Sequence, residues 1–267
     1  MNCKLSATYS KCRRFQAISI DMLTSKFDFS KDDRVLDVGC GSGNFASDIA
    51  HNVSSVVGID VSNDMINYAK QHHQLSNVEY VVCDAQDFGT NLSKWKQNQF
   101  NKVTSMYVLQ WVKDKKNTIQ NIQQCMKQGG ELFILVVGPM CRLCGTKENE
   151  LPSYLKNHPK WNLFLHDYEG GLKNDLDLDG WCSLLETEGF SLVSKEAIDP
   201  TIFIIENDYE LDGYVRTLSG QLARIPDNLQ DEIVKDAMDW CKRELPVNSD
   251  GIMYSDCECY FLHAKKM

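Results

Sequence analysis

The run Val35-Leu36-Asp37-Val38-Gly39-Cys40-Gly41-Ser42-Gly43-Asn44 limits the possible folds of this chain more than any other segment. Its apolar start predicts a buried strand, its glycines a tight turn, and the residues after Gly43 a helix. Bare backbone at such a turn lets a ligand come close. The glycines alternate at positions 39, 41 and 43, and Asp37 stands two places before the first. A dinucleotide-binding turn is spaced G-x-G-x-x-G, so that its third glycine packs helix on strand and pyrophosphate meets the helix N-terminus. Asn44 occupies that third position here. A carboxylate at Asp37 would repel pyrophosphate and suits an amine or a sulfonium.

In this pattern the segment resembles motif I of the class I S-adenosylmethionine (SAM) methyltransferases. The runs that follow agree with it. Val56-Val57-Gly58-Ile59-Asp60 ends in an acid 21 positions after Gly39, where such folds place a carboxylate to hold both ribose hydroxyls. A third run, Val78 to Ala85, contains Asp84, which the resemblance puts at the exocyclic amine of adenine. A fourth, Phe100 to Tyr107, contains Ser105 and is expected beside the first strand, its end facing the methyl group. A fifth, Glu131 to Val137, follows Gly129-Gly130, a helix stop. Helical patterns at about 44–52, 62–73 and 114–128 alternate with these runs, which predicts a parallel, doubly wound α/β sheet. Ligands of such sheets bind outside the carboxyl ends of the strands. The resemblance assigns SAM to Asp37, Gly39, Gly41, Asp60, Val61, Asp84, Ala85 and Ser105.

With 267 residues, the chain has room for one α/β domain with a sizeable core and an added cap. Its net charge of -9 argues against a nucleic-acid partner, because phosphate binding needs a basic face. The clusters Lys11-Cys12-Arg13-Arg14 and Lys113-Asp114-Lys115-Lys116 are too short to make one, and read as solvated surface. No apolar stretch is long enough to span a bilayer, and the N-terminus lacks the apolar core of a signal peptide. A cytoplasmic enzyme, monomeric or homodimeric, is the expectation. The 11 cysteines are odd in number and irregular in spacing. Cys141-Arg142-Leu143-Cys144 is one C-x-x-C without a second pair, and Cys257-Glu258-Cys259 alternates along an expected strand. Structural zinc needs four ligands in paired spacing, so the cysteines read as reduced and metal-free, and disulfides are not expected.

Substrate choice should come from outside the first five strands. The expected division is a helical N-terminal cap over 1–30, a SAM-binding core over 31–137, and substrate-cap insertions over 138–177 and 199–250, all within one domain. In the first, Tyr9, Cys12, Phe15 or Gln16, Ile20 and Leu23 recur at helical spacing. The second has no clean period and is too long for an ordinary connection. A helix near 178–188 and a strand over 190–198 follow it. Helices are then expected over 207–222 and 227–243, and a last, antiparallel strand from Ile252 to His263. The whole is a class I SAM methyltransferase sheet of seven strands with a helical substrate cap.

Three segments are similar to the juvenile hormone acid O-methyltransferase family. They are Tyr9-Ser10-Lys11-Cys12-Arg13-Arg14-Phe15-Gln16, Leu109-Gln110-Trp111-Val112-Lys113-Asp114, and Ala223-Arg224-Ile225-Pro226-Asp227-Asn228-Leu229-Gln230-Asp231-Glu232. In that family a Gln and a Trp hold the substrate carboxylate, which carries over to Gln16 and Trp111. The chemistry suits them. A carboxylic acid with a pKa of about 4–5 is already ionised at neutral pH, so no general base is needed. Neutral amide and indole donors can orient it for in-line displacement without the stronger ground-state grip of an arginine fork. The resemblance implies a SAM-dependent carboxyl O-methyltransferase for a long apolar acid. The alternatives are a small-acid enzyme similar to the trans-aconitate methyltransferases, which should need arginines such as Arg142, Arg216 and Arg224, and a SAM-binding paralogue without turnover. The G-x-G-x-G spacing argues against a dehydrogenase.

Overall fold

The computed structural model describes residues 14–23, 26–95, 100–145, 147–169, 171–172, 175–218 and 220–267, with the side chains of 14–16, 90, 92 and 218 left aside. Seven strands form one sheet: β1 (Arg34–Val38), β2 (Ser55–Asp60), β3 (Val78–Val82), β4 (Phe100–Met106), β5 (Met126–Val137), β6 (Phe190–Ile198) and β7 (Cys259–Lys266). Their order is β3-β2-β1-β4-β5-β7-β6. The first five are parallel, and β7 pairs antiparallel with both β5 and β6. The chain runs outward from β1 to β3 and then returns to β4, so a crevice opens where β1 and β4 diverge.

Helices α1 (Arg14–Leu23), α2 (Asn44–Ala50), α3 (Asn63–His72), α4 (Gly89–Trp95) and α5 (Lys115–Cys125) accompany the first half. Polar side chains set their starts. Ser62 accepts from Met65 N–H ahead of α3, and Asp114 from Asn117 N–H ahead of α5, satisfying donors that a helix leaves unpaired. The second half adds α6 (Leu151–Asn157), α7 (Asn162–Leu165), α8 (Leu178–Thr187), α9 (Asp208–Leu218) and α10 (Gln230–Glu244).

Alternation along β5 divides the core. Leu132, Ile134 and Val136 pack with Trp95, Ile119, Ile122 and Trp181 on one face. Phe133, Leu135 and Val137 turn to the other, where α1, the segment after β5, α9 and α10 share a single cluster. That cluster ties N- and C-terminal regions together through Phe27, whose ring contacts Phe133 and Phe261. Among the described residues no helix is long and apolar enough to cross a membrane.

Two strand boundaries differ from expectation. β5 starts at Met126, five residues before Glu131, because Phe100 pairs with Met126 and Gly129, at φ 73°, takes up a register shift inside the strand instead of ending a helix. β7 starts at Cys259 rather than Ile252. Upstream, Asn248 accepts from the N–H groups of Asp250 and Ile252, and this side-chain turn diverts the backbone before pairing begins.

Candidate active site

A cavity of about 510 Å³ opens at the crevice, within the range of small-molecule sites. Gly39 and Gly41 form part of its wall, with φ of 76° and 54°, a region that side chains with a Cβ avoid. Gly39 is fixed by packing as well. A Cβ there would lie 2.1 Å from Val108 Cγ2, in the turn after β4. The close approach of the two turns demands bare backbone at this point.

Asp60 ends β2 at the cavity. Its Oδ2 accepts from Gly41 N–H at 3.0 Å and its Oδ1 from Ser62 N–H at 2.8 Å. Burial raises its pKa against those two donors. Each oxygen keeps a lone pair for a ligand hydroxyl. Asp84 is exposed to the cavity and its Oδ1 accepts from Gln86 N–H at 2.8 Å, which leaves Oδ2 for an amine. Val61, Ala85 and Trp111 also line the wall. Trp111 is 39% exposed, so its indole can meet a ligand.

Two predicted residues stand elsewhere. Asp37 is buried beneath the turn, not in the cavity wall, and its Oδ1 accepts from Thr104 Oγ1 at 2.8 Å across the β1–β4 junction. Burial pushes its pKa up to about 7. Ser105 is fully buried inside β4, and its Oγ meets no hydrogen-bond partner among the described residues. It occupies an inward pleat position; the strand ends one residue later. The Gln16 side chain and residues 1–13 lie outside the described residues, so the structure does not place that half of the carboxylate pair.

Other residues complete the wall. Tyr107 follows β4 at φ 61° and its hydroxyl bonds Ser19 Oγ of α1 at 2.6 Å. Gln110 is 2% exposed, and its Oε1 is buried with no hydrogen-bond partner among the described residues. Leu143, Tyr214 and Thr217 close the far side. Tyr107 could have been suspected from its position after a strand whose end faces the site. Leu143, Tyr214 and Thr217 carry no local signal, because only tertiary packing brings the segments after β5 and along α9 to this crevice.

The three arginines weighed for a multiply charged substrate are engaged elsewhere. Arg142 Nε lies 2.8 Å from Asp256, Arg216 pairs with Asp212 and Asp231, and Arg224 Nη1 lies 2.6 Å from Asp167. Neither they nor any lysine lines the cavity among the described residues. The cysteines depart from expectation. Cys141 and Cys257 are joined as a disulfide, because the paired ends of β5 and β7 bring together two positions 116 residues apart.

Comparison with known proteins decides the family. Residues 29–188 match the family model described as a methyltransferase domain. The chain belongs to this methyltransferase family. Among its relatives is the juvenile hormone acid O-methyltransferase of Drosophila melanogaster, 29% identical over 218 residues, covering 78% of this chain and 70% of that protein. The Bombyx mori protein of the same name is 26% identical, covering 78% of this chain and 72% of its own. A putative methyltransferase of Invertebrate iridescent virus 6 is 30% identical over 67% of this chain, and the match spans 64% of the viral protein. The fold is shared with the [4+2]-cyclase SpnF, at a TM-score of 0.62, 19% identity and coverage of 93% and 80%. It is also shared with phosphoethanolamine N-methyltransferase 2 of Haemonchus contortus in complex with SAM, at 0.58 and 19%, covering 93% of this chain and 52% of that one. These likenesses concern the fold, which hosts more than one chemistry.

The methyltransferase uses SAM as its cofactor, and the site fits it. The glycine turn lines the cavity with bare backbone at Gly39 and Gly41, and Asp60, at the end of β2, and Asp84, two residues past β3, line the same cavity.

Proposed function

We propose that this methyltransferase esterifies the carboxylate of a long apolar acid, of the juvenile hormone acid, farnesoic acid or fatty acid type. The observation that carries this is the rest of the cavity wall, outside the glycine turn and the acids. It offers Trp111, Tyr107, Leu143 and Tyr214 and no basic side chain among the described residues. An apolar chain is favoured there, and a small polyacid would lack the cations it needs. The resemblance to the juvenile hormone acid O-methyltransferases supports the same acid class.

Asp60 and Val61 would hold the ribose side of the cofactor, Asp84 and Ala85 the adenine, and the turn at Gly39 and Gly41 its amino-acid end. Asp37 would act from beneath the turn through its carboxylate, and Ser105 from the inner end of β4. The bound cofactor supplies a methyl carbon on a positive sulfonium. Gln16 and Trp111 would donate to one carboxylate oxygen and hold the other in line with that carbon. Bound there, the cofactor would give up its methyl group to the carboxylate oxygen and leave as S-adenosylhomocysteine, and the chain would have no proton to move. Alignment of this kind can supply several kcal/mol of the barrier. The segments over 1–30, 138–177 and 199–250 would enclose the apolar chain.

The test is methyl transfer from labelled SAM to farnesoic acid, its epoxide, lauric acid and trans-aconitate. Esters of the apolar acids and none of trans-aconitate are expected. Trp111→Ala and Gln16→Ala should each lower ester formation at least about tenfold with SAM affinity retained. Turnover of trans-aconitate alone, wild-type rates in both variants, or SAM binding without product on any acid would overturn the proposal.

A further inference from the structure

Beyond the residues that face the cofactor, the cavity wall carries a sulfur cluster that methyl transfer does not use. Cys141 and Cys144 follow β5, and Cys257 stands two residues before β7. Backbone pairing continues past the strand ends, Gly138 N–H donating to Glu258 O at 2.7 Å and Glu258 N–H to Met140 O at 3.0 Å. It joins these segments across 116 residues. All three cysteines are buried, and their sulfurs lie within 4.8 Å of one another. Cys144 Sγ stands 3.1 Å from Cys141 Sγ. The Arg142–Asp256 ion pair, at 2.8 Å, ties the neighbours of Cys141 and Cys257 together.

We propose that, in its reduced form, this cluster binds one zinc ion through Cys141, Cys144 and Cys257, with the fourth coordination position open to the cavity. A disulfide occupies two sulfurs and gives the third no part. A C-x-x-C pair plus a sulfur from a facing segment is a common way to present thiolates to one thiophilic cation. Sulfurs around tetrahedral zinc stand about 3.8 Å apart, given Zn–S of about 2.3 Å, so the cluster needs only side-chain rotation to fit. Ser255 Oγ donates to Cys257 Sγ at 3.0 Å, a contact of the kind that orients a metal ligand. Cys144 and Cys257 line the cavity and Cys141 does not, which puts the open position on the ligand side. Cys259, next on the same strand face, bonds Tyr107 instead.

Metal binding requires reduction first. A phosphine cleaves the S–S bond, takes an oxygen from water to become the phosphine oxide, and leaves two thiols. The cation then displaces a proton from each of the three sulfurs, so affinity should rise with pH. The experiment uses the full chain, reduced anaerobically and freed of phosphine, titrated with zinc alone against a chromophoric chelator and with cobalt(II) by absorption. One equivalent of zinc per chain and a thiolate-to-cobalt charge-transfer band are expected. Cys144→Ser and Cys257→Ser should each weaken zinc binding at least about 100-fold. Cys182→Ser, a buried cysteine of α8 on the other sheet face, should leave it unchanged. SAM binding by each variant reports that it is folded. No zinc uptake by the reduced chain, or uptake unaffected by Cys144→Ser, would overturn the proposal.

Discussion

At the residue scale, Asp37 and Gly39 do different jobs within one motif. The folded-state pKa of Asp37, about 7, lies above its ordinary 3.8. Between those values the folded chain therefore binds more protons than the unfolded one, and stability should fall as pH rises through that window. Asp37→Asn removes the titrating group, so urea midpoints from pH 4 to 7 should lose that part of their slope. An unchanged slope would place the cause elsewhere. Gly39→Ala meets both a strained φ and a clash with Val108. A cost of about 1–3 kcal/mol is expected from the backbone alone, together with weakened SAM binding, as calorimetry would record. The acid and the glycine were legible in the sequence. That the acid is buried under the turn, bonded to Thr104, was not, since Thr104 is 67 residues away and meets Asp37 only when β4 inserts beside β1.

At the scale of elements, the cavity depends on how the N-terminal helix docks. The hydroxyl of Tyr107 reaches Ser19 of α1 at 2.6 Å in a buried contact, linking the turn after β4 to the segment that carries Gln16. Tyr107→Phe removes one buried hydrogen bond, worth about 1 kcal/mol. It should slow ester formation while leaving SAM affinity within about twofold, because α1 is loosened and the glycine turn is not. Equal losses in both would show that Tyr107 supports the cofactor side instead. Strand and helix periods placed α3, α5, α8 and β6 to within a few residues. The starts of β5 and β7 escaped because Gly129 and Asn248 act through register and turn geometry, which a local period does not encode.

For the whole molecule, the cavity joins the ends of β1, β2 and β3 to a wall built from residues 107–108, 110–112, 143–144, 214, 217 and 220. A ligand that bridges both halves stabilises the folded chain by mass action. At 100 times its Kd, SAM should add about 2.7 kcal/mol and raise the Tm by roughly 5–8 °C for a chain of this size. Differential scanning fluorimetry measures this directly, and no shift at that concentration would exclude the cavity as the SAM site.

By itself the sequence determined the sheet and the strand ends that meet at the cavity, because strand periods, glycine spacing and acids at strand ends are local signals. Tertiary structure alone decided the far wall, the engagement of Arg142, Arg216 and Arg224 by nearby acids, and the meeting of Cys141, Cys144 and Cys257. Apart from Arg216 and Asp212, four residues apart on α9, and the C-x-x-C pair itself, those contacts join residues far apart along the chain, which only the packing of strands and helices brings together.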